Sequence, residues 1–311
     1  MKILVTGANG FVGKNLVRIL KQYGYTNLLL PTSRELNLLN QNKVLSYMVE
    51  HEPEVVINLA ATCGGIGANK KRPATFMYNN LQMGLNLIEG SRYISVEKFV
   101  QLGSVCSYPK YTAVPFKEED IWNGYPEETN APYGIAKKTL SHMITCYHQE
   151  FDFPGVNLMP ANMYGPHDHF DLENSHVIPA LIRKFYTAKI KDEASVEIWG
   201  TGTATRDFLY VDDCCEAIVT AMEDCRTPLP INIGTGVETS IMDIVDIIME
   251  TVEYTGDVVV DQGKPDGQPR RCLSTKRAEK WLGFRAPTNI DYGLTKTIKW
   301  YIQNEAKNHL P

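Results

Sequence analysis

Through its first 160 residues the chain alternates short apolar runs with longer stretches in which apolar positions recur every three or four residues. Lys2–Thr6, Leu28–Leu30, Val55–Leu59, Lys98–Leu102 and Val156–Met159 read as five strands. Between them, Phe11–Tyr23 sets Val12, Leu16, Ile19 and Leu20 at helical spacing. Asn42–Glu50 and Pro132–Phe151 also read as helices, and Pro73–Arg92 carries Phe76, Leu81, Leu85 and Ile88. Strands apolar at nearly every position are covered on both faces, which predicts a parallel sheet between layers of helices. The expected fold class is therefore α/β, a Rossmann-type doubly wound parallel sheet.

After about residue 160 the rhythm loosens, and Pro, His, Asp and Asn cluster in Met159–His176. A helix at 177–189, a strand-like Val196–Trp199, a helix at 212–224, a strand-like Ile231–Ile233 and a helix at 240–252 follow. We read residues 1–160 as a dinucleotide-binding domain. Residues 161–311 read as a smaller mixed α/β substrate domain, with segments returning to the first.

Composition narrows the class. Of 311 residues, 43% are hydrophobic, enough for a sizeable core, and no apolar run approaches the length of a membrane span. The opening Met1-Lys-Ile-Leu-Val-Thr-Gly is too brief for a signal peptide, so a soluble cytoplasmic protein is expected. A net charge of −5 argues against nucleic acid or a membrane as partner, though not against an anionic small ligand in a local basic pocket. The seven cysteines lack a CxxC pair or zinc-site spacing and read as reduced thiols.

Thr6-Gly7-Ala8-Asn9-Gly10-Phe11-Val12-Gly13 joins the first strand to the first helix. Glycines there permit a tight turn and close approach of backbone to a pyrophosphate, which the helix N-terminus then faces. About 20 residues further on, an acid would bind a ribose 2′-hydroxyl, whereas an arginine would favour a 2′-phosphate. Ser33-Arg34 stands at that place and favours NADP(H), with Glu35 as the competing NAD reading.

Tyr133-Gly-Ile-Ala-Lys137 puts a phenol and an ammonium on one helix face. A nearby lysine and a positive nicotinamide would lower the tyrosine's pKa and make it a usable acid/base. Ser104, at the C-terminal end of the fourth strand, can hydrogen-bond a substrate oxygen beside it.

These residues resemble the extended short-chain dehydrogenase/reductase family over essentially the whole chain. The resemblance implies a nicotinamide on the first domain, a nucleotide-sugar on the second, a catalytic trio of Ser104, Tyr133 and Lys137, and a homodimer. Within the family, longer blocks match a branch that acts on GDP-linked 4-keto sugars. They are Ala60-Ala61-x-x-Gly64-Gly65-Ile66, Gly103-Ser104-x-Cys106, Tyr164-Gly165-Pro166-His167-Asp168, Asn174-Ser175-His176, Trp199-Gly200-x-Gly202, Arg206-Asp207-Phe208-Leu209 and Lys264-Pro265-Asp266-Gly267. That branch epimerises carbons 3 and 5 of GDP-4-keto-6-deoxy-mannose and reduces carbon 4 with NADPH.

The residue chemistry agrees. Epimerisation beside a ketone needs a base on one face of the carbon and an acid on the other. A thiol and an imidazole both exchange protons near neutrality, and Cys106 and His176 are the candidates. In an extended segment the side chains of Ser104 and Cys106 would point the same way. The resemblance makes Cys106 the base and His176 the acid, and it also sets Ala60, Ala61 and His176 against the cofactor. Arg183, Lys184, Arg206, Lys264 and Arg270-Arg271 are candidates for the substrate's phosphates, with Asn162 and Trp199 shaping the sugar-nucleotide site. His167-Asp168-His169 lacks a third spaced metal ligand and reads as loop structure.

The chain departs from the branch at Thr62-Cys63, at Lys184 beside Arg183, at Ser274 and around Thr227–Ile231. The exact sugar stays open as a result, a 6-deoxy-heptose on GDP included. A 4,6-dehydratase would want acids after Ser104, and a cofactor-recycling 4-epimerase would not need Cys106 and His176. A C4 reductase without epimerase activity also stays open. A non-catalytic NADP-binding regulatory protein would be marked by loss of Tyr133 or Lys137, and both are present.

Overall fold

The computed structural model describes residues 1–172, 175–264 and 267–309. In the first half β1 (Ile3–Thr6), α1 (Phe11–Gln22), β2 (Leu28–Leu29), α2 (Gln41–His51) and β3 (Val55–Asn58) lead to α3 (Ile66–Lys71) and α4 (Pro73–Tyr93). β4 (Lys98–Leu102), α5 (Ala131–Phe151) and β5 (Gly155–Pro160) complete it. The second half runs β6 (Asn162–Tyr164), α6 (Val177–Lys191), β7 (Ser195–Trp199), β8 (Thr205–Arg206), β9 (Phe208–Tyr210), α7 (Val211–Asp224) and β10 (Ile231–Ile233). After these come β11 (Thr239–Ser240), α8 (Ile241–Val252), β12 (Asp257–Asp261), β13 (Arg270–Arg271), α9 (Lys276–Leu282), α10 (Ile290–Asn304) and α11 (Ala306–His309).

Six parallel strands form one sheet in the order β10-β5-β4-β3-β1-β2. Every residue of β1, β3, β4 and β5 is buried, because helices cover both faces. Leu16, Ile19 and Leu20 of α1 pack on one face with α7, whereas Leu87 and Ile88 of α4 and Leu140 of α5 pack on the other. Strand order reverses between β1 and β3, so a crevice opens at their carboxyl ends, where this architecture binds ligands. Ile231–Ile233 returns to the sheet beside β5.

The remaining strands make three small sheets: β11-β8-β13, β12-β7 and β6-β9. A separate apolar core holds them to α6, α8 and α10, through residues such as Ile182, Phe185, Ile244, Ile248, Leu294 and Ile298. No helix among the described residues is long and apolar enough to cross a membrane.

Candidate active site

The floor of the crevice is built where β4 ends. Gly103-Ser104 leaves the strand and enters a single 3-10 turn, Val105–Ser107. The Ser104 hydroxyl accepts the Cys106 amide at 3.1 Å and so caps that turn. The expected extended segment is thus corrected. The backbone turns because the serine offers its oxygen to the amide two residues on, and the turn, not strand alternation, sets where both side chains go.

Helix α5 lies directly on this turn. A Cβ at Gly134 would overlap the Cys106 carbonyl oxygen, so only glycine permits the approach. Tyr133 and Lys137 are thereby brought to the end of β4. The Tyr133 phenol is hydrogen-bonded to Ser104, and its acidity responds to the charge of Cys106 and Cys63. Lys137 donates to the Leu102 carbonyl at 2.8 Å, with its nitrogen 5.8 Å from the Tyr133 ring centre.

Burial leaves the lysine pushed down to about 8. Tyr133, by contrast, is pushed well above its ordinary value, chiefly by burial, then by the charges of Cys63 and Cys106, with the Ser104 hydrogen bond working the other way. The expected lowering by a neighbouring lysine is therefore not a property of the chain alone: in this crevice the desolvation of the phenolate outweighs it.

At the other end of the crevice, Gly7 takes a positive φ of 73°, and a Cβ there would lie 2.9 Å from the Ala60 nitrogen. The Gly10 amide donates to the Gly7 carbonyl at 3.0 Å. Helix α1 follows with no side-chain cap and no acidic residue in its first turn. The amides of Phe11, Val12 and Gly13 lie in that turn, and Asn9 and Gly10 are exposed beside them. This cradle fits the pyrophosphate of a dinucleotide, because nothing negative competes for it. Ala60 and Ala61 are half-buried after β3, across from Gly7.

The turn after β2 bears on the choice between NAD and NADP. Glu35 accepts from the Thr32 amide at 2.7 Å and the Thr32 hydroxyl at 2.8 Å. That amide holds its carboxyl below the usual range. The acid is thus engaged within its own turn, whereas the exposed Arg34, beside exposed Ser33, makes no ion pair among the described residues.

The second half of the chain carries the basic residues, here called the wall. Trp199 ends β7 with its ring largely exposed, and the amines of Lys184 and Lys264 stand 5.9 and 5.5 Å from the ring centre. Lys184 also donates to the Glu197 carbonyl at 2.9 Å, and burial pushes its pKa down. Arg206 donates to the Thr205 carbonyl at 2.8 Å. Asn162 is pinned to the Asp207 carbonyl through its amide at 3.1 Å. Two candidate anion binders have other work: Arg270 is paired with Glu238, and Arg183 donates to the Phe170 carbonyl at 3.0 Å. Arg271 is turned toward Cys106, not outward.

His176 immediately precedes α6 and keeps solvent-accessible surface. Burial nevertheless pushes its imidazole down, with the charge of His169 adding to the effect. Some of its surface is exposed while neighbouring atoms crowd its ring. Tyr133 and Cys63 combine the same two properties. His176 and Cys106 share no hydrogen bond. Asn174, Pro265 and Asp266 of the matching blocks lie outside the described residues.

Three neighbours escaped the sequence reading. Asp168 is buried and its Oδ1 accepts the His169 amide at 2.7 Å, while Oδ2 has no partner among the described residues. Burial pushes that carboxyl up to about 7. Cys63 responds to the charges of Lys137 and Asp168. Asn130 directs its amide toward the Cys106 sulfur at 3.5 Å. A polar residue inside a matching block was the available signal for Asp168, but a turn contact such as Asn130's has none. No group of three His, Cys, Asp or Glu among the described residues could hold a metal.

A dinucleotide cradle and a Ser-Tyr-Lys floor on one sheet crevice, with a basic wall on the second half of the chain, define a nucleotide-dependent α/β enzyme. The chain belongs to the NAD dependent epimerase/dehydratase family, whose model matches residues 3–234. It is 42% identical to the GDP-L-fucose synthase of Sinorhizobium fredii over 99% of this chain and 97% of that protein. Among solved structures it resembles a GDP-6-OMe-4-keto-L-xylo-heptose reductase from C. jejuni, with a TM-score of 0.92, 29% identity and 98% of each chain covered. A GDP-L-fucose synthetase from Naegleria fowleri bound to NADP matches with a TM-score of 0.89 and 26% identity, over 97% of this chain and 94% of that one.

Proposed function

We propose that this enzyme converts GDP-4-keto-6-deoxy-mannose to GDP-L-fucose, epimerising carbons 3 and 5 and reducing carbon 4 with NADPH. The observation that carries the reading is the convergence of the Cys106 turn, Ser104 and Tyr133 at one end of β4. An acid/base thiol there adjoins the hydroxyls that would hold a carbonyl oxygen. The 42% identical relative that bears this activity's name supports the choice of sugar.

The NADP(H) would lie with its pyrophosphate on Gly7, Asn9, Gly10, Phe11, Val12 and Gly13. Its 2′-phosphate would meet Ser33 and Arg34, and its nicotinamide end would lie near Ala60, Ala61 and His176. When bound it supplies a hydride to carbon 4. The chain's own residues do the rest. Cys106 removes a proton from carbon 3 or 5, Ser104 and Tyr133 hydrogen-bond the resulting enolate oxygen, and His176 returns a proton on the opposite face. In the reduction Tyr133 gives its proton to the carbon-4 oxygen, and Lys137 keeps a positive charge beside the phenolate left behind. Trp199, Lys184, Arg206, Lys264 and Asn162 hold the GDP-sugar.

The same reading includes a cytoplasmic homodimer. Met77, Tyr78 and Leu85, exposed on α4, support a second copy there. A second reading, C4 reduction of a related GDP-4-keto sugar such as a heptose, is favoured by the 0.92 TM-score to the heptose reductase.

The test is NMR analysis of the product formed from GDP-4-keto-6-deoxy-mannose and NADPH, with solvent deuterium incorporation followed in the absence of NADPH. Deuterium should enter carbons 3 and 5. A wild-type exchange rate in Cys106→Ser would remove the base, and a C4-reduced product without inversion would favour the second reading. NADPH should outperform NADH, and equal efficiencies would remove the role of Arg34.

A further inference from the structure

Arg271 reaches the Cys106 sulfur from a strand 165 residues further along the chain, with Nη1 at 3.8 Å. The approach is held at several points. Parallel pairing sets Arg271 on β13 opposite Arg206 on β8, and the Asp207 amide donates to the Arg271 carbonyl at 2.8 Å. The Gln268 side-chain oxygen accepts from Nε at 3.1 Å and from Nη2 at 2.9 Å. Gln268 is itself fixed, because its amide donates to the Lys110 carbonyl at 2.7 Å. Both side chains are buried, at 9% exposure for Arg271 and 6% for Gln268.

Among the described residues no carboxylate pairs with Arg271. A buried guanidinium whose hydrogen bonds go to a neutral carboxamide and a thiol is short of a counter-charge. Deprotonated sulfur would supply one. We propose that Arg271 is the counter-ion of the Cys106 thiolate and that Gln268 is the positioning residue that aims it. This rests on the reading of Cys106 as the base of the epimerisation. In that role the guanidinium keeps the sulfur ready to take a proton from carbon, and Gln268 keeps the guanidinium off the substrate's phosphates.

The groups facing Cys106 are few. From α5 comes the Tyr133 phenol, with Lys137 one turn further along and tied to Leu102, and from the residue just before α5 the neutral Asn130 amide. Ser104 accepts the Cys106 amide from the strand side, and Arg271 approaches from β13. Among the described residues, Arg271 is therefore the cation in direct contact with the sulfur.

The experiment is iodoacetamide alkylation of the full-length protein between pH 6 and 9, with each cysteine followed by peptide mass spectrometry. Cys146, exposed on α5, is the internal reference. The Cys106-to-Cys146 rate ratio should rise as pH falls in the wild type. Arg271→Gln and Gln268→Leu should lower the Cys106 rate at pH 7 by about tenfold, the effect of losing one close opposite charge, and leave Cys146 unchanged. Arg271→Lys should restore part of the loss. A wild-type ratio independent of pH overturns the proposal even if a variant fails to fold. So does an unchanged Cys106 profile in Arg271→Gln with a raised KM for the GDP-sugar, which would make Arg271 a phosphate ligand. Failure of the base reading is distinct: Cys106→Ser would then still exchange deuterium, while the alkylation profiles would be unaffected.

Discussion

The floor and the wall of the crevice are made in different ways. The floor stands on fully buried parallel strands, and each of its motifs is local: Gly7 to Gly13 spans one strand–helix junction, and Tyr133 and Lys137 share one helix face. The wall stands on strands of two to five residues in three small sheets. Its residues meet only because distant segments pair, as when β13 brings Arg271 beside β8 and onto Cys106. In the proposed reading, the carbonyl chemistry of Ser104 and Tyr133 sits on the half built around the buried sheet. In the same reading, recognition of the GDP-sugar falls to the half assembled late in the chain. Substitutions on the floor should therefore act on kcat, and substitutions on the wall on KM.

Tyr133→Phe gives the sharpest contrast. It would remove the proposed proton donor to carbon 4, and reduction should fall by about 10³-fold in kcat. NADPH binding should stay near wild type. Single-turnover NADPH oxidation measures the first and fluorescence titration the second. A reduction rate within tenfold of wild type would mean that another group supplies the proton.

Trp199→Ala tests the wall, with a smaller expected effect. The ring has Lys184 and Lys264 on it, and loss of a cation–π platform at an exposed site costs about 1 kcal/mol. The two amines lose their placement as well, so KM for the GDP-sugar should rise about five- to tenfold with kcat nearly unchanged. Initial rates over a substrate series decide this. An equal fall in kcat and kcat/KM would erase the distinction between the two regions.

The same contrast explains what the sequence could reveal. The alternation of apolar runs made five strands of the sheet legible to within a residue or two, because four of them are buried along their whole length and β2 is half-buried. Ile231–Ile233 was legible for the same reason. By contrast β6, β8, β9, β11 and β13 have two or three residues each, too few to show a period. Helix α10 was missed although Leu294, Ile298 and Tyr301 carry helical spacing, a signal that was present and unread. Ser104 and Cys106 were identified with the wrong backbone between them, since a side-chain cap overrides strand alternation locally. Arg271 stood out as a cation, but its partner could not be read, because no local pattern joins residues 106 and 271.

Asp168 lies in the loop between β6 and α6, where floor and wall meet, and gives the mildest test. Its carboxyl is buried and pushed up to about 7, from an unfolded value near 4. Between those values the folded chain keeps a proton that the unfolded chain has released. Stability from this group is thus complete below pH 4 and lost as pH rises to 7, above which ionisation of the buried group costs on the order of 2–4 kcal/mol. Asp168→Asn removes the titration yet keeps an oxygen for the His169 amide, whose bond to Oδ1 is 2.7 Å. The variant's melting temperature relative to wild type should therefore rise between pH 4.5 and pH 8 by roughly 5 °C, measured by calorimetry on cofactor-free protein. A difference that stays flat across that range would show that the carboxyl is ionised throughout. The junction between the two regions would then hold a buried charge with a compensating partner.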